Sequence, residues 1–228
     1  MSVPAAIEHL VARYERSAVL RGLVQLVPLS IGSAIDTALL TKVQTLRADR
    51  TAIFFDELAN GKENLNPELL ESNEFLHCFF ATTEAALRTH RVEKIQYLAR
   101  LLASSIVSGK FSDVDEYEEY LNILDDLSSR EFAVLILLDR YESDHPPQEN
   151  ENRLQRATRF WSQFSADLVS HFSIPLQEVD AMLTRLNRTG CYETFVGSFM
   201  GYTGGKGMTT PTFHRLKSFV LSRGSNGG

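Results

Sequence analysis

The six histidines are the first residues to consider for metal or proton chemistry: His9, His77, His90, His145, His171 and His214. A metal site on a helix needs a second His or Cys three or four residues away, because only that spacing puts two ligands on one face. None of the six histidines has such a neighbour. His77 adjoins Cys78, but consecutive helical residues diverge by about 100° and do not share a ligand. The sequence therefore predicts no metal site and no cofactor.

Five acids crowd into the segment SDVDEYEEY: Asp113, Asp115, Glu116, Glu118 and Glu119. The segment lacks the glycine and the distal glutamate of a helix–loop–helix calcium site. Acids in the first turn of a helix are favoured by the helix dipole, and this is a sufficient structural reason for the cluster. The functional alternative is an acidic surface for a basic partner. Its candidate residues are Asp113, Asp115, Glu116 and Glu119.

The segment TGGKG, at residues 203–207, is the closest approach to a nucleotide motif. A phosphate-binding loop needs a Ser or Thr directly after its Lys, and a helix directly after that. Here Gly207 and Met208 follow Lys206, and short strand-like runs flank the segment, so we interpret it as the tip of a hairpin. No nucleophile elbow of the Gly-x-Ser-x-Gly type occurs. We therefore expect no catalytic residues and no enzymatic activity.

Composition places the chain among ordinary globular proteins, with 228 residues, 43% hydrophobic residues and 23% charged residues. Its formal net charge of -6 does not favour nucleic-acid binding by the whole chain. Residues 1–127 carry 12 Lys and Arg against 19 Asp and Glu, whereas residues 128–228 carry 11 against 10. This asymmetry indicates two parts with different surfaces. Two distant cysteines and an N-terminus without signal- or transit-peptide character favour a reducing cytoplasm.

The most apolar long run is Leu23–Leu40, LVQLVPLSIGSAIDTALL. Its first interpretation is a buried corner between two helices, with a turn at Pro28 and Gly32 and with caps from Ser33 and Asp36. The second is a membrane-active segment over residues 18–40, although a charged residue at bilayer depth costs about 2.5–3.5 kcal/mol. The third is an oligomer interface, since Gly32 and Ser33 permit close approach. The run is also similar to segments of uncharacterised bacterial helical proteins.

The remainder of the first half has helical periodicity throughout. We predict a long helix from Ser33 to about Asn60, a capped helix in SNEFLHCFFATTEAALRTH, and further helices in RVEKIQYLARLLASSIVSG and SDVDEYEEYLNILDDL. No alternating strand pattern occurs before residue 190. The first half is therefore predicted to be a helical bundle.

The second half begins with a capping box, SSRE, in which Ser128 and Glu131 have the required spacing. A deeply buried helix follows, then a polar loop, a helix over about 153–172, a shorter helix ending near Gly190, a glycine-rich hairpin and a last helix opened by Pro211. This order of elements resembles a winged-helix domain over residues 128–222. LTRLNRTGCYE is similar to the end of its recognition helix, and MTTPTFHRLKSF to its closing strand and helix.

The winged-helix resemblance implies a test for DNA binding, because a recognition helix needs Arg, Lys, Asn or Gln near its start. The helix here begins with Gln177, Glu178 and Asp180, and two acids disfavour a phosphate-lined groove. Several cations nearby are nevertheless candidates for backbone contacts. The candidate nucleic-acid residues are Arg153, Arg156, Arg159, Gln177, Arg185, Arg188 and Lys206.

The sequence thus predicts a mainly α-helical chain: a helical bundle over 1–127, a winged-helix-like domain with one small β-hairpin over 128–222, and a flexible tail over 223–228. We expect a non-catalytic cytoplasmic interaction or regulatory protein that binds a protein partner or itself as a homo-oligomer. One alternative is a DNA-binding regulator acting through the C-terminal domain. Another is a membrane-perturbing effector in toxicity or phage defence, acting through residues 18–40.

Overall fold

A computed structural model describes residues 34–60, 72–107, 113–195 and 205–221, without the side chains of 34–41, 43–44 and 106–107. The described residues form eight α-helices: α1 (Ala34–Asn60), α2 (Asn73–Arg88), α3 (Val92–Val107), α4 (Val114–Asp126), α5 (Ser129–Asp144), α6 (Arg153–Phe172), α7 (Val179–Arg188) and α8 (Pro211–Leu221). A short 3-10 helix, Leu176–Glu178, precedes α7. Two strands, β1 (Tyr192–Thr194) and β2 (Gly207–Thr209), pair antiparallel. The predicted class, mainly helical with one small hairpin, is confirmed for these residues.

The chain divides into two compact units. The first unit is Met1–Leu121 with Phe219–Gly228, and the second unit is Asn122–Ser218, so both divisions fall inside helices, α4 and α8. Among the described helices, none combines the length and apolar composition that crossing a bilayer requires.

The first unit is held by an aromatic cluster between α1 and α2. Phe54 and Phe55 of α1 contact Phe79 of α2, with ring centroids 6.4 and 6.0 Å away, and all three rings are buried. Helix α3 packs against α1 and is joined to it by the Arg100–Glu57 ion pair, with Nε and Oε1 2.6 Å apart. Most of this unit's stability therefore comes from apolar burial between helices.

In the second unit, the predicted capping box at the start of α5 is confirmed. Ser128 Oγ accepts from the Glu131 N–H, and Glu131 Oε2 accepts from the Ser128 N–H. Helix α5 buries Leu135 and Leu138 fully, and Phe132 of α5 meets Phe213 of α8 with ring centroids 6.1 Å apart. Two acids near the C-terminal end of α5, Asp139 and Glu142, are buried too.

The hairpin follows α7 through a left-handed Gly190, at φ 74°. Glycine favours this conformation because it has no Cβ to clash with the backbone. In the hairpin, Tyr192 pairs with Thr209 and Thr194 pairs with Gly207. The two strands therefore bring Thr209, the last residue of β2, against the second unit's core.

Candidate functional site

Two of the predicted nucleic-acid contacts, Arg156 and Arg159, donate hydrogen bonds to backbone carbonyls at the C-terminal end of α5. Arg156 donates from Nε to the carbonyl of His145 at 2.7 Å and from a guanidinium nitrogen to the carbonyl of Glu142 at 2.5 Å. Arg159 donates to the carbonyl of Pro146 at 2.6 Å and pairs with Glu151 at 2.7 Å. The last carbonyls of a helix have no partner within the helix, so these arginines satisfy them. Both cations are thereby engaged in structural contacts.

Arg153 and Lys206 lie near the hairpin. The Arg153 guanidinium is 2.6 Å from Glu193 Oε2 and lies over the Phe195 ring, 5.2 Å from its centroid. Lys206 Nζ donates to Thr158 Oγ1 at 3.1 Å. Both side chains connect α6 to the hairpin region. Each cation therefore has an acceptor within the chain.

The predicted recognition helix, α7, carries charges of both signs on its exposed face. Arg185 Nε is 3.0 Å from Glu131 Oε1, so this cation is neutralised by the capping acid of α5. Arg188 is exposed at the end of the helix, while Gln177 and Asp180 are exposed at its entry. The face therefore runs from acidic at its N-terminal end to basic at its C-terminal end.

The predicted acidic surface lies at the start of α4. Asp113 Oδ1 accepts from the Glu116 N–H at 3.1 Å, which makes Asp113 the N-cap of this helix. Asp115 and Glu119 are exposed, and Glu116 is half-buried. The acids therefore have a structural role at this helix start: Asp113 caps the helix, and Asp115 and Glu116 lie in its first turn.

The predicted hinge or interface residues fall at the edge of the described chain. Pro28, Gly32 and Ser33 lie outside the described residues, as does the side chain of Asp36, whose backbone belongs to α1. Residues 18–33 of the proposed membrane-active segment lie outside them as well.

A polar cluster that the sequence analysis did not predict lies between α5, β2 and α8. We name it the Glu142 network: Asp139 and Glu142 of α5, Thr209 of β2, and His214 and Lys217 of α8. Asp139 and Glu142 are buried on a helix that is otherwise apolar on that face. Buried carboxylates require partners, so their partners define what the cluster does.

Asp139 of the Glu142 network faces two cationic or potentially cationic groups. Lys217 Nζ donates to Asp139 Oδ2 at 2.5 Å, and His214 Nδ1 lies 3.2 Å from Asp139 Oδ1. A carboxylate beside an ammonium stays ionised and only accepts hydrogen bonds. This contact favours the form of His214 with a hydrogen on Nδ1, facing Asp139, and with Nε2 facing Thr209.

Both carboxylate oxygens of Glu142 contact Thr209. Its Oε1 accepts from the Thr209 N–H at 2.7 Å, and its Oε2 lies 2.8 Å from Thr209 Oγ1. Thr209 Oγ1 also lies 3.3 Å from His214 Nε2. Burial raises the pKa of the Glu142 carboxyl above its ordinary value, against the opposing effects of the Thr209 hydrogen bonds, Arg156 and His214.

The order Asp139–His214–Thr209 has the connectivity of a hydrolase triad, but its hydroxyl is not placed for attack. Thr209 is only 4% exposed, and its hydroxyl is engaged with Glu142. A nucleophile must instead reach substrate with its proton directed to the base. The geometry therefore supports a structural role for the cluster.

One feature of the sequence could have indicated part of the Glu142 network. Asp139 and Glu142 stand three residues apart at the end of LILLDRYES, which puts two acids on one face of a buried helix. Their partners, Thr209 and His214, lie about 70 residues further along, and spacing alone does not connect them. In the described residues, no cluster of three or more His, Cys, Asp or Glu could hold a metal ion.

Comparison of this chain with protein-family models, with curated proteins and with solved structures finds no match. The function proposed below therefore rests on the residues and their geometry.

Proposed function

We propose that the chain is a non-catalytic interaction or regulatory protein of the cytoplasm that binds through protein surfaces, with a second copy of itself as its partner. The observation that carries this proposal is the engagement of the predicted DNA-contacting cations. Arg156 and Arg159 hold backbone carbonyls, while Arg153 and Arg185 pair with acids of the same unit. A phosphate backbone would have to displace these partners, at a cost in stability.

The second unit supports a winged-helix-like module in this proposal. A short helix, α7, leads directly into an antiparallel hairpin, and α8 follows its second strand. Gly205, which precedes β2 on the loop side of the hairpin, lies so close to α7 that an added Cβ would stand 2.8 Å from Asp180 Oδ1. An acid against this part of the hairpin disfavours phosphate and leaves the module suited to protein contact.

The surface proposed for self-association is the exposed face of residues 176–188. Leu176 is 67% exposed at its entry, beside Glu178 and Asp180, and Arg188 lies at its other end. Eight residues separate Asp180 from Arg188, about 12 Å along a helix axis. Two copies in antiparallel contact would pair the acidic end of each face with the basic end of the other, as a two-fold interface requires.

Sedimentation velocity of the full chain tests self-association across low and high micromolar concentrations. We expect a reversible dimer, and we expect Leu176→Glu to shift it to monomer because a charged carboxylate replaces the apolar side chain that the interface would bury. The matched control is Val92→Glu, since Val92 is another exposed apolar residue, on α3. A wild-type chain that stays monomeric throughout, or equal weakening by both substitutions, would overturn the proposed interface.

A mobility-shift assay at low salt with duplex DNA separates the DNA-binding alternative from the proposal. We expect no shifted band, because five of the six candidate cations contact acceptors of their own unit. A band that disappears when Arg185 and Arg188 are both changed to Ala would replace the proposal with DNA binding.

A further inference from the structure

The Glu142 network has fewer hydrogens than its contacts require. Thr209 Oγ1 has a single hydrogen but lies against two atoms, Glu142 Oε2 and His214 Nε2. When Glu142 is ionised and His214 is neutral, both of those atoms are acceptors. The hydroxyl then satisfies one of them, and the other faces an oxygen lone pair without a hydrogen between.

One additional proton satisfies every contact in either of two arrangements. On His214, the proton lets Nε2 donate to Thr209 Oγ1, whose own hydrogen goes to Glu142 Oε2. On Glu142, the proton lets Oε2 donate to Thr209 Oγ1, whose hydrogen then goes to Nε2. The Thr209 N–H continues to donate to Glu142 Oε1 in both arrangements. The two arrangements differ only by the transfer of hydrogens along the hydroxyl.

The burial of the Glu142 carboxyl also favours the additional proton, against the opposing charge of Arg156. The packed elements contribute Asp139 and Glu142 from α5, His214 and Lys217 from α8, and Arg156 from α6. Lys217 is matched by Asp139, and the Arg156 guanidinium donates to backbone carbonyls. Without the additional proton, the Glu142 carboxylate is buried with no cation in hydrogen-bond contact, which is costly.

We propose that the Glu142 network is a proton-binding site that fastens β2 and the first turns of α8 to α5 more tightly when one additional proton is bound. The proton makes this docking pH-dependent, because it supplies the hydrogen that the contacts of Thr209 Oγ1 with Glu142 and His214 otherwise lack. This inference is independent of the proposed function, since it concerns how the second unit is held together. It gives the unit a built-in response to pH.

The direction of the response follows from linkage. The unfolded chain loses its histidine protons near about pH 6.5. In the proposal, the folded network binds the additional proton more tightly than the unfolded chain does, because the proton completes its hydrogen bonds. The folded state then binds one more proton than the unfolded state, so stability falls as pH rises. One proton corresponds to an increase in the unfolding equilibrium constant of up to about tenfold per pH unit.

Urea unfolding of the full chain, followed by fluorescence, measures this constant between about pH 6.5 and about pH 8. The chain has a single tryptophan, Trp161, and it lies on α6 in the second unit, so the signal reports on the unit that contains the network. We expect the wild-type unfolding constant to rise several-fold to tenfold per pH unit above the rise seen in the variants below.

Two substitutions imitate the protonated network permanently. In Glu142→Gln, the amide replaces the protonated carboxyl and donates to Thr209 Oγ1. In His214→Gln, an amide N–H replaces Nε2–H. We expect both variants to lose the extra pH dependence, while the exposed controls Glu149→Gln and His171→Gln keep it. A wild-type slope equal to that of both imitating variants would overturn the proposal.

Nitrogen NMR of labelled histidine gives a second test that does not depend on either variant folding. We expect His214 in the native wild-type chain to carry its hydrogen on Nδ1 at about pH 8, with Nε2 protonated as pH falls, because Asp139 fixes Nδ1–H. A native His214 with hydrogen on Nε2 alone at that pH would remove the arrangement on which the proposal rests.

Discussion

At the scale of single residues, Arg156 shows how a side chain predicted to bind phosphate serves the fold. It donates to the carbonyls of Glu142 and His145 at the end of α5. We expect Arg156→Met to lower the free energy of unfolding by about 1–3 kcal/mol, because a half-buried helix end loses charged donors. Arg153→Met is the matched control, with an expected loss of about 0–1 kcal/mol for an exposed ion pair.

Trp161 fluorescence in urea measures both variants, since all three residues lie on α6 in the second unit. Equal losses for Arg156→Met and Arg153→Met would contradict the structural role assigned to Arg156.

Glu131 should give the second unit a dependence on acid. Burial alone would raise its pKa, but hydrogen bonds from Ser128 and Arg185 outweigh burial and hold the pKa below the ordinary 4.5. A lowered pKa stabilises the fold above the unfolded value and loses that contribution as pH falls through the folded value. We therefore expect acid unfolding below about pH 4.5 to be less steep in Glu131→Gln than in wild type.

Urea titrations at successive acidic pH values measure the Glu131 effect, with exposed Glu149→Gln as the control. A steeper acid dependence in Glu131→Gln than in the control would show that the hydrogen bonds do not favour the ionised form.

At the scale of elements, two glycines of the hairpin region should differ sharply in their tolerance of alanine. A Cβ on Gly207 would stand 2.1 Å from the carbonyl oxygen of Glu193 and 2.4 Å from Tyr192 Cζ. A Cβ on Gly190 meets nothing within 4 Å, but its φ of 74° is unfavourable for alanine. We expect Gly190→Ala to cost about 1–2 kcal/mol and Gly207→Ala to cost more, with loss of hairpin pairing.

Urea unfolding compares the two glycine variants. Amide hydrogen exchange at Phe195 and Thr210, whose N–H groups donate to the carbonyls of Lys206 and Cys191, reports on the pairing itself. Similar exchange in Gly207→Ala and wild type would show that the strands separate enough to admit a methyl group.

The elements whose signals are local were predictable from the sequence. Ser72 caps α2 as expected, Ser128 and Glu131 form the capping box of α5, and α6 covers the predicted residues 153–172. Each of these features depends on residues three or four positions apart, so the local sequence is sufficient to predict it. The Glu142 network as a whole was not predictable, because its members come from three elements and sequence spacing does not connect the two acids of α5 with Thr209 and His214.

At the scale of the whole molecule, the sequence predicted parts at 1–127 and 128–222, while the compact units divide inside α4 and α8. The end of α8 illustrates why such a boundary is hard to predict. Phe219 packs against Tyr120 with ring centroids 5.3 Å apart, and its carbonyl accepts from Ser104 Oγ at 2.7 Å. A helical pattern fixes which face of α8 is apolar, but it contains no information about which helices cover that face.

Because each unit has its own core, each also has its own reporter thiol. Cys78 of the first unit and Cys191 of the second are both fully buried, and burial raises the pKa of each thiol to about 11. Little thiolate is therefore present near neutral pH, and alkylation of the native chain should be slow at both sites until a unit opens.

Core truncations should make the two thiols respond separately. Phe79→Ala removes a buried ring beside Cys78, and Phe213→Ala removes one from the second unit, each at about 3–5 kcal/mol. We expect the first to accelerate alkylation of Cys78 and the second that of Cys191, read at peptide level by mass spectrometry. Equal acceleration of both thiols by either substitution would mean that the chain opens only as a whole. In that case the local pH response proposed for the Glu142 network would act on the stability of the entire molecule.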